Sequence, residues 1–279
     1  MAFREVALAD IAENFDAFLI DQFGVLLNGP GVYPGAAEAL SSLAELGKPI
    51  LLLSNSGKRS GPNERRLVDR GFARKAFRGV LSSGEAAHFA LQEAIGNSLP
   101  TGAKVFLIAR DGDRSAIEGL DLVLTDRISE AELLLIAASE AEQYSLEHYE
   151  ALLKIAAANR IPCWCTNPDQ TMLTGAGRVF GAGRIASLYE ELGGTVLWFG
   201  KPYPLIYDIG LRMLGGVSPE RVLCIGDSPQ HDIVGGQDAG CATALVRTGI
   251  HEGASMTDIR KICAVHGAEP DFVFNCFSY

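Results

Sequence analysis

Two patterns alternate along this chain. Short, nearly unbroken apolar runs, most of them rich in Val, Ile and Leu, recur at 18–20, 50–53, 80–81, 105–108, 122–124, 133–137, 162–165, 196–198, 222–225, 243–246 and 272–274. Such runs predict strands covered on both faces, because a strand with one wet face would alternate apolar and polar residues. Between the runs lie segments with helical spacing. Residues 36–45 and 64–70 lead into Gly47 and Gly71, each where glycine ends a helix. Ser82-Ser83-Gly84-Glu85 has the spacing of a capping box before a further helix. Leu146, Tyr149, Leu152, Leu153 and Ala156 share one face of another helix, which ends near Asn159. This alternation predicts parallel sheets joined by right-handed crossovers.

Open parallel sheets gather their sites at the carboxyl ends of the strands, so the residues after each run carry the functional argument. Asp21-Gln22-Phe23-Gly24-Val25-Leu26 follows the first run and Ser54-Asn55-Ser56-Gly57 the second. Gly200-Lys201-Pro202 comes just after 196–198, and Gly226-Asp227-Ser228-Pro229-Gln230-His231-Asp232 follows 222–225. A carboxylate, a hydroxyl, a lysine and a carboxylate pair at strand ends suit phosphate chemistry. Asp21 can attack phosphorus. Asp21 and Asp227 can share Mg²⁺ with substrate phosphate and water. Lys201 and Ser54 can hold phosphoryl oxygens. Taken singly, each is commonly a turn or cap residue; their joint order, each at a strand end, makes them a set.

Composition narrows the partners. The chain has 279 residues, 48% apolar and 21% charged, as in an ordinary globular protein of one large or two modest domains. Its net charge is −10, and the basic pairs Lys58-Arg59, Arg65-Arg66 and Arg74-Lys75 are too short for a nucleic-acid or anionic-membrane face. They read as solvated faces. No apolar run approaches the ~20 residues of a membrane helix, and Arg4, Glu5, Asp10 and Glu13 leave no apolar signal core at the N-terminus. Cys163, Cys165, Cys224, Cys241, Cys263 and Cys276 form no CxxC pair and sit mostly in apolar runs, as buried reduced thiols do. Cys163 and Cys165 share a strand face but lack the second ligand pair that zinc requires. The expectation is a cytoplasmic protein with a small-molecule partner, no nucleic acid and no membrane. The sequence is compatible with a homo-oligomer and fixes no stoichiometry.

The order of the motifs resembles the haloacid dehalogenase superfamily, mostly Mg²⁺-dependent phosphatases that form an aspartyl-phosphate. Phe18-Leu19-Ile20-Asp21-Gln22-Phe23-Gly24-Val25-Leu26 is similar to the first motif, Ser54-Asn55 to the second, Lys201 to the third, and Gly226 through Asp232 to the fourth. The long stretch between Ser54 and Lys201 resembles the NagD-like branch with a large cap there. Cys165-Thr166-Asn167-Pro168-Asp169, Gly181-Ala182-Gly183 and Val32-Tyr33-Pro34-Gly35-Ala36 are similar to that branch's tracts. The resemblance covers nearly the whole chain. It implies an α/β fold with a doubly wound parallel-sheet core, residues 1–82 and 200–279, and an inserted α/β cap domain, residues 83–199, hinged at 82–84 and 200–201.

The resemblance also implies roles. Asp21 is the nucleophile and a metal ligand; the Phe23 carbonyl and Asp227 complete the protein ligands to Mg²⁺, with Asp232 supporting the metal shell. Ser54, Asn55 and Lys201 hold the phosphoryl group. Asn167 and Asp169 of the cap face the substrate, a small phosphorylated metabolite; as an alternative, Asn167-Pro168 only starts a turn. Lys58 and Arg59 could attract an anion or form a solvated face. In the family's phosphatases the residue two beyond the nucleophile is a second Asp that serves as acid and base. Here it is Phe23, which has no exchangeable proton. The side chain could fill space and exclude water from Asp21. Gln22 points to the opposite strand face, and His231 is a candidate surrogate base or a surface histidine. The reading is therefore a Mg²⁺-dependent hydrolase of small phosphate esters, slowed by Phe23. Its rivals are a non-hydrolytic binding or regulatory protein for a phosphorylated metabolite, and a phospho-acceptor switch like a receiver domain, against which the large insert argues.

Overall fold

The computed structural model describes residues 3–29, 31–174 and 177–279. They form two units. The first contains the chain up to Ser54, Ser60–Leu81 and Lys201–Tyr279; the second contains Asn55–Arg59 and Ser82–Gly200.

The first unit is built on a seven-stranded sheet ordered Arg4–Glu5, Phe272–Phe274, Ala242–Val246, Val222–Gly226, Ala17–Asp21, Ile50–Ser54, Gly79–Ser82. The Ala17–Asp21 strand is buried at every position, as are Ile50–Ser54 and Val222–Gly226. Side-chain alternation divides these strands between two apolar layers. Phe18, Ile20, Ile50, Leu52, Leu223 and Ile225 pack on one face with Leu40 and Leu43 of helix Ala36–Glu45 and Leu67 of helix Ser60–Asp69. On the other face, Leu245 and Val273 pack with Ile259 and Cys263 of helix Met256–His266, and Gly210 of helix Pro204–Met213 lies against Leu19 and Leu51. Helices on both faces make the core doubly wound.

Strand order is what locates the site. Ile20 pairs in parallel with Ile225 on one side and Leu52 on the other. From Ala17–Asp21 the chain proceeds toward Ile50–Ser54, and from Val222–Gly226 it proceeds the opposite way, toward Ala242–Val246. The two departing loops open a crevice at the carboxyl ends of neighbouring strands, where open sheets bind ligands.

The second unit has its own five-stranded sheet, ordered Val196–Trp198, Cys163–Cys165, Leu133–Ile136, Ala103–Ile108, Leu122–Leu124, with all four pairings parallel. Leu134, Ile136, Cys163 and Cys165 pack under helices Leu146–Ala158 and Ala182–Glu191, while Val105, Leu133 and Leu135 pack with Leu91 of helix Ser83–Ala94. An antiparallel hairpin, Thr171–Thr174 with Gly177–Phe180, escapes the sequence reading because its short strands lack an apolar run. No helix of the described residues is long and apolar enough to cross a membrane.

One assignment is corrected. The sequence reading runs the core unbroken through residues 1–82, yet Asn55–Arg59 belongs to the second unit. The reason is a set of long-range polar ties. Arg59 makes a bidentate pair with Glu85 at 2.9 and 2.8 Å, Ser82 Oγ donates to the Lys58 carbonyl at 2.7 Å, and Gly84 N donates to the Ser56 carbonyl at 3.1 Å. Glu85 is also where the capping-box spacing finds its structural counterpart: its amide donates to Ser82 Oγ at 3.1 Å, capping helix Ser83–Ala94. The helix expected at 64–70 begins a turn earlier, at Ser60.

Because the Arg59–Glu85 pair is mostly shielded from water, its two members should not contribute independently. A double-mutant cycle of Arg59→Ala and Glu85→Ala, read by urea unfolding, is expected to give a coupling energy of about 0.5–3 kcal/mol; additivity would show that the pair does not anchor the segment.

Candidate active site

The Ala17–Asp21 strand ends by delivering Asp21 to the crevice, and Val222–Gly226 delivers Asp227 beside it. The turn Pro229–Ile233 brings Asp232 back to the same place. Oxygens of Asp21, Asp227 and Asp232 lie within 4.8 Å of one another, and all three residues are buried. Lys201, 3% exposed, donates to Asp21 Oδ1 and, at 2.6 Å, to Asp232 Oδ1. Ser54 closes the adjacent strand, one residue beyond the Leu53 that pairs with Asp21. The first unit thus brings together Asp21, Ser54, Lys201, Asp227 and Asp232.

Three buried carboxylates face one ammonium, so negative charge is in excess. Burial pushes the Asp21 carboxyl up to about 7; Lys201 pulls it down and Asp232 pushes it up again. Burial likewise raises Asp227, helped by the charges of Asp21 and Asp232. For Lys201, burial disfavours the ammonium, but the two carboxylates outweigh it and raise its pKa, so it stays protonated. An all-oxygen donor set with surplus charge fits a hard divalent cation.

Backbone donors hold the carboxylates in place. Ile250 N donates to Asp227 Oδ2 at 2.9 Å, and Ser228 N to Asp232 Oδ2 at 3.0 Å. The Ile250 loop is itself fastened: Thr248 Oγ1 donates to the Gly24 carbonyl at 2.5 Å, and Gly249 N donates to Tyr33 Oη at 2.9 Å. Sequence reasoning missed Thr248, Gly249 and Ile250, which follow a strand without any motif. Gly24 was visible only as part of the first motif. Its φ is +93°, and a Cβ there would lie 2.1 Å from Asp227 Oδ2.

The Phe23 ring is not packed into the interior. It is 44% exposed, and the guanidinium of Arg66 lies over its ring, 5.0 Å from the centroid. The expectation of a ring packed to exclude water is therefore corrected. So is the reading of Arg65-Arg66 as a wholly solvated pair, since Arg66 is half-buried. Gln22 is completely buried, as strand alternation requires, with neither amide atom hydrogen-bonded. His231 is held through its backbone, its amide donating to the capping Ser228 Oγ at 3.2 Å and its carbonyl accepting from Tyr207 Oη at 2.9 Å.

The remaining candidates meet in the second unit. Asn55 Nδ2 donates to Asp169 Oδ1 at 2.9 Å, and Asp169 N donates to Asn167 Oδ1 at 3.1 Å, closing a turn. The Gly181-Ala182-Gly183 tract is built onto this turn: Gly183 N donates to the Asp169 carbonyl at 3.0 Å, and a Cβ on Gly183 would lie 2.1 Å from the Pro168 carbonyl oxygen. Arg59 is held by Glu85, whereas Lys58 is exposed. Five cysteines are buried and Cys276 is exposed; all are free thiols.

If the Asp227 carboxylate needs the absent side chain of Gly24, Gly24→Ala combines a strained φ with displacement of that carboxylate. It is expected to lower stability by more than Gly253→Ala, where φ is +78° but nothing lies near the added Cβ. The shared backbone strain amounts to about 1–3 kcal/mol. Equal urea midpoints for the two variants would show that Asp227 yields without cost.

Comparison with known proteins bears on the same residues. A family model described as haloacid dehalogenase-like hydrolase matches residues 18–123, which include Asp21 and Ser54. A HAD-hydrolase-like model matches 198–277, which include Lys201, Asp227 and Asp232. Chronophin of Mus musculus is 30% identical over 254 residues, covering 88% of this chain and 86% of chronophin. The structure of a hydrolase of the haloacid dehalogenase-like family from Brucella suis 1330 aligns with a TM-score of 0.81 at 25% identity, over 99% of each chain. The p-nitrophenyl phosphatase from Archaeoglobus fulgidus aligns with a TM-score of 0.72 at 28% identity, over 94% of this chain and 97% of its own. With relatives spanning nearly its full length, the chain belongs to the haloacid dehalogenase-like hydrolases, in the NagD-like branch with an inserted α/β cap, as an enzyme of the phosphatase type.

Proposed function

We propose that this enzyme hydrolyses small phosphate esters through an aspartyl-phosphate on Asp21 and depends on Mg²⁺. The observation that carries this reading is the buried meeting of Asp21, Asp227 and Asp232 with Lys201 at the carboxyl ends of two neighbouring strands.

The proposed chemistry has two displacements. An Asp21 carboxylate oxygen attacks phosphorus, and the bond from phosphorus to the ester oxygen breaks. Water then attacks phosphorus, the bond to Asp21 breaks, and inorganic phosphate leaves. Lys201 and Ser54 hold phosphoryl oxygens, and Lys201 also fixes the orientation of Asp21. Asp21, Asp227 and the Phe23 carbonyl would hold the Mg²⁺, with Asp232 supporting them. The fit is supported by the surplus of buried carboxylate and by the Phe23 carbonyl, which accepts no hydrogen bond among the described residues. When bound, the ion would neutralise that surplus and stabilise charge on the phosphoryl group. Phe23 carries no proton for acid–base work, so slow turnover is expected; general acid–base help is typically worth ~10²–10⁴ in rate. The same absence favours the second reading, a protein that binds phosphorylated metabolites without turning them over.

Assay of p-nitrophenyl phosphate and a panel of phosphorylated metabolites tests both readings. Asp21→Asn, checked for folding by circular dichroism, should lower kcat/KM by on the order of 10³-fold or more. EDTA should remove activity and Mg²⁺ restore it, and Asp227→Asn should weaken Mg²⁺ affinity by at least about 10-fold. Binding of metabolites without turnover or labelling would overturn the phosphatase in favour of the binder. Activity retained in Asp21→Asn would overturn the nucleophile.

A further inference from the structure

Ester cleavage leaves an oxygen that must either take a proton or depart as an anion. Among the described residues of the first unit, the charged side chains gathered around Asp21 are already engaged with one another or with backbone donors. The Lys201 ammonium lies on Asp21 and Asp232, Asp232 accepts from Ser228 N, and Asp227 accepts from Ile250 N. The residue two beyond Asp21 is a hydrocarbon ring, 44% exposed.

A cation rests on that ring. The Arg66 guanidinium carbon sits 5.0 Å from the Phe23 centroid, and an Arg66 Nη donates to Asn63 Oδ1. Its Nε is buried without a hydrogen-bond partner. Among the described residues Arg66 makes no ion pair with a carboxylate. Both of its supports, a π face and an amide oxygen, attract a cation without neutralising it. A half-buried guanidinium kept at full charge, beside a nucleophile segment without a proton donor, is suited to meet an anion.

We propose that Arg66, positioned by Phe23, receives the leaving oxygen as an anion, and that the substrates are phosphates whose leaving groups are stable without a proton: acyl, enol or aryl phosphates rather than alkyl phosphates. This rests on the Asp21 phosphatase reading. In the first displacement the Asp21 oxygen bonds to phosphorus, and the electron pair of the broken bond stays on the leaving carboxylate, enolate or phenolate oxygen. Arg66 donates a hydrogen bond to that oxygen and keeps its own proton, since arginine is not deprotonated in proteins. In the second displacement the attacking water gives up its proton to solvent. Phe23 is a positioning residue and touches no reacting atom.

The test is a series of phosphates of graded leaving-group pKa: acetyl phosphate, substituted phenyl phosphates and glycerol phosphate, with log kcat/KM plotted against that pKa. The wild type should fall steeply along the series. Arg66→Gln should lose about 10²-fold, the scale for removing one donor to a developing oxyanion, and should steepen the slope. Arg65→Gln, an exposed neighbour on the same helix, should change neither. Phe23→Tyr should keep the wild-type slope, and Phe23→Asp, at an exposed position that does not endanger folding, should flatten it by offering a proton and neutralising Arg66. A flat wild-type slope, or an Arg66→Gln loss equal for every substrate, overturns the proposal while leaving the phosphatase intact. Failure to turn over any member of the series, with no phosphate incorporated at Asp21, overturns the phosphatase reading and this proposal with it.

Discussion

The Lys201 ammonium, closed off from water between Asp21 and Asp232, is the contact on which the site depends. Taking a single charge into a protein interior costs several kcal/mol even after relaxation, and that cost is offset only when partners and hydrogen bonds are well placed. Here the charge and its two partners come from three separate parts of the chain: the residue after Gly200, the end of Ala17–Asp21 and the turn Pro229–Ile233. No local structure could hold them together. The apolar layers on both faces of the sheet do so, by fixing the strands from which the charged groups project.

The order of strands turns this packing into chemistry. Because the chain leaves Ala17–Asp21 and Val222–Gly226 in opposite directions, the loops after them part and leave a crevice at the strand ends that carry Asp21 and Asp227. The loop around Thr248 and Gly249 returns only far enough to donate backbone hydrogen to Asp227 and to brace Gly24. A larger residue at Gly24 would occupy the place of the carboxylate itself. The remaining imbalance, three carboxylates against one ammonium, is an electrostatic demand of the kind that suits a divalent cation.

Much of this was legible in the sequence. Strands buried on both faces cannot alternate apolar with polar residues, so 18–20, 50–53, 133–137 and 222–225 stand out as apolar runs rich in Val, Ile and Leu, and the candidate residues Asp21, Ser54 and Asp227 come just after three of them. The hairpin Thr171–Thr174 and Gly177–Phe180 was not legible, since it has no such run to announce it. Neither was the transfer of Asn55–Arg59 to the second unit, because the Glu85 that holds Arg59 lies on a separate helix and Arg59 carries no local mark of it. Thr248, Gly249 and Ile250 act through backbone groups, which every residue type possesses. Phe23 was visible as an anomaly, but its exposure and its Arg66 neighbour belong to tertiary structure alone.

The arginines and lysines near the motifs differ in what remains of their charge. Lys201 and Arg59 are each matched to carboxylates, and what they contribute is orientation. Arg66 is matched to none. An Asp in place of Phe23 would bring a carboxylate into reach of that guanidinium and add a further negative group to a cluster already in excess. The exposed ring does neither. It stabilises a guanidinium by roughly 0.5–1 kcal/mol at an exposed site and leaves its positive field intact. Loss of a proton donor and retention of an uncompensated cation are thus one structural fact, because the same side chain is responsible for both.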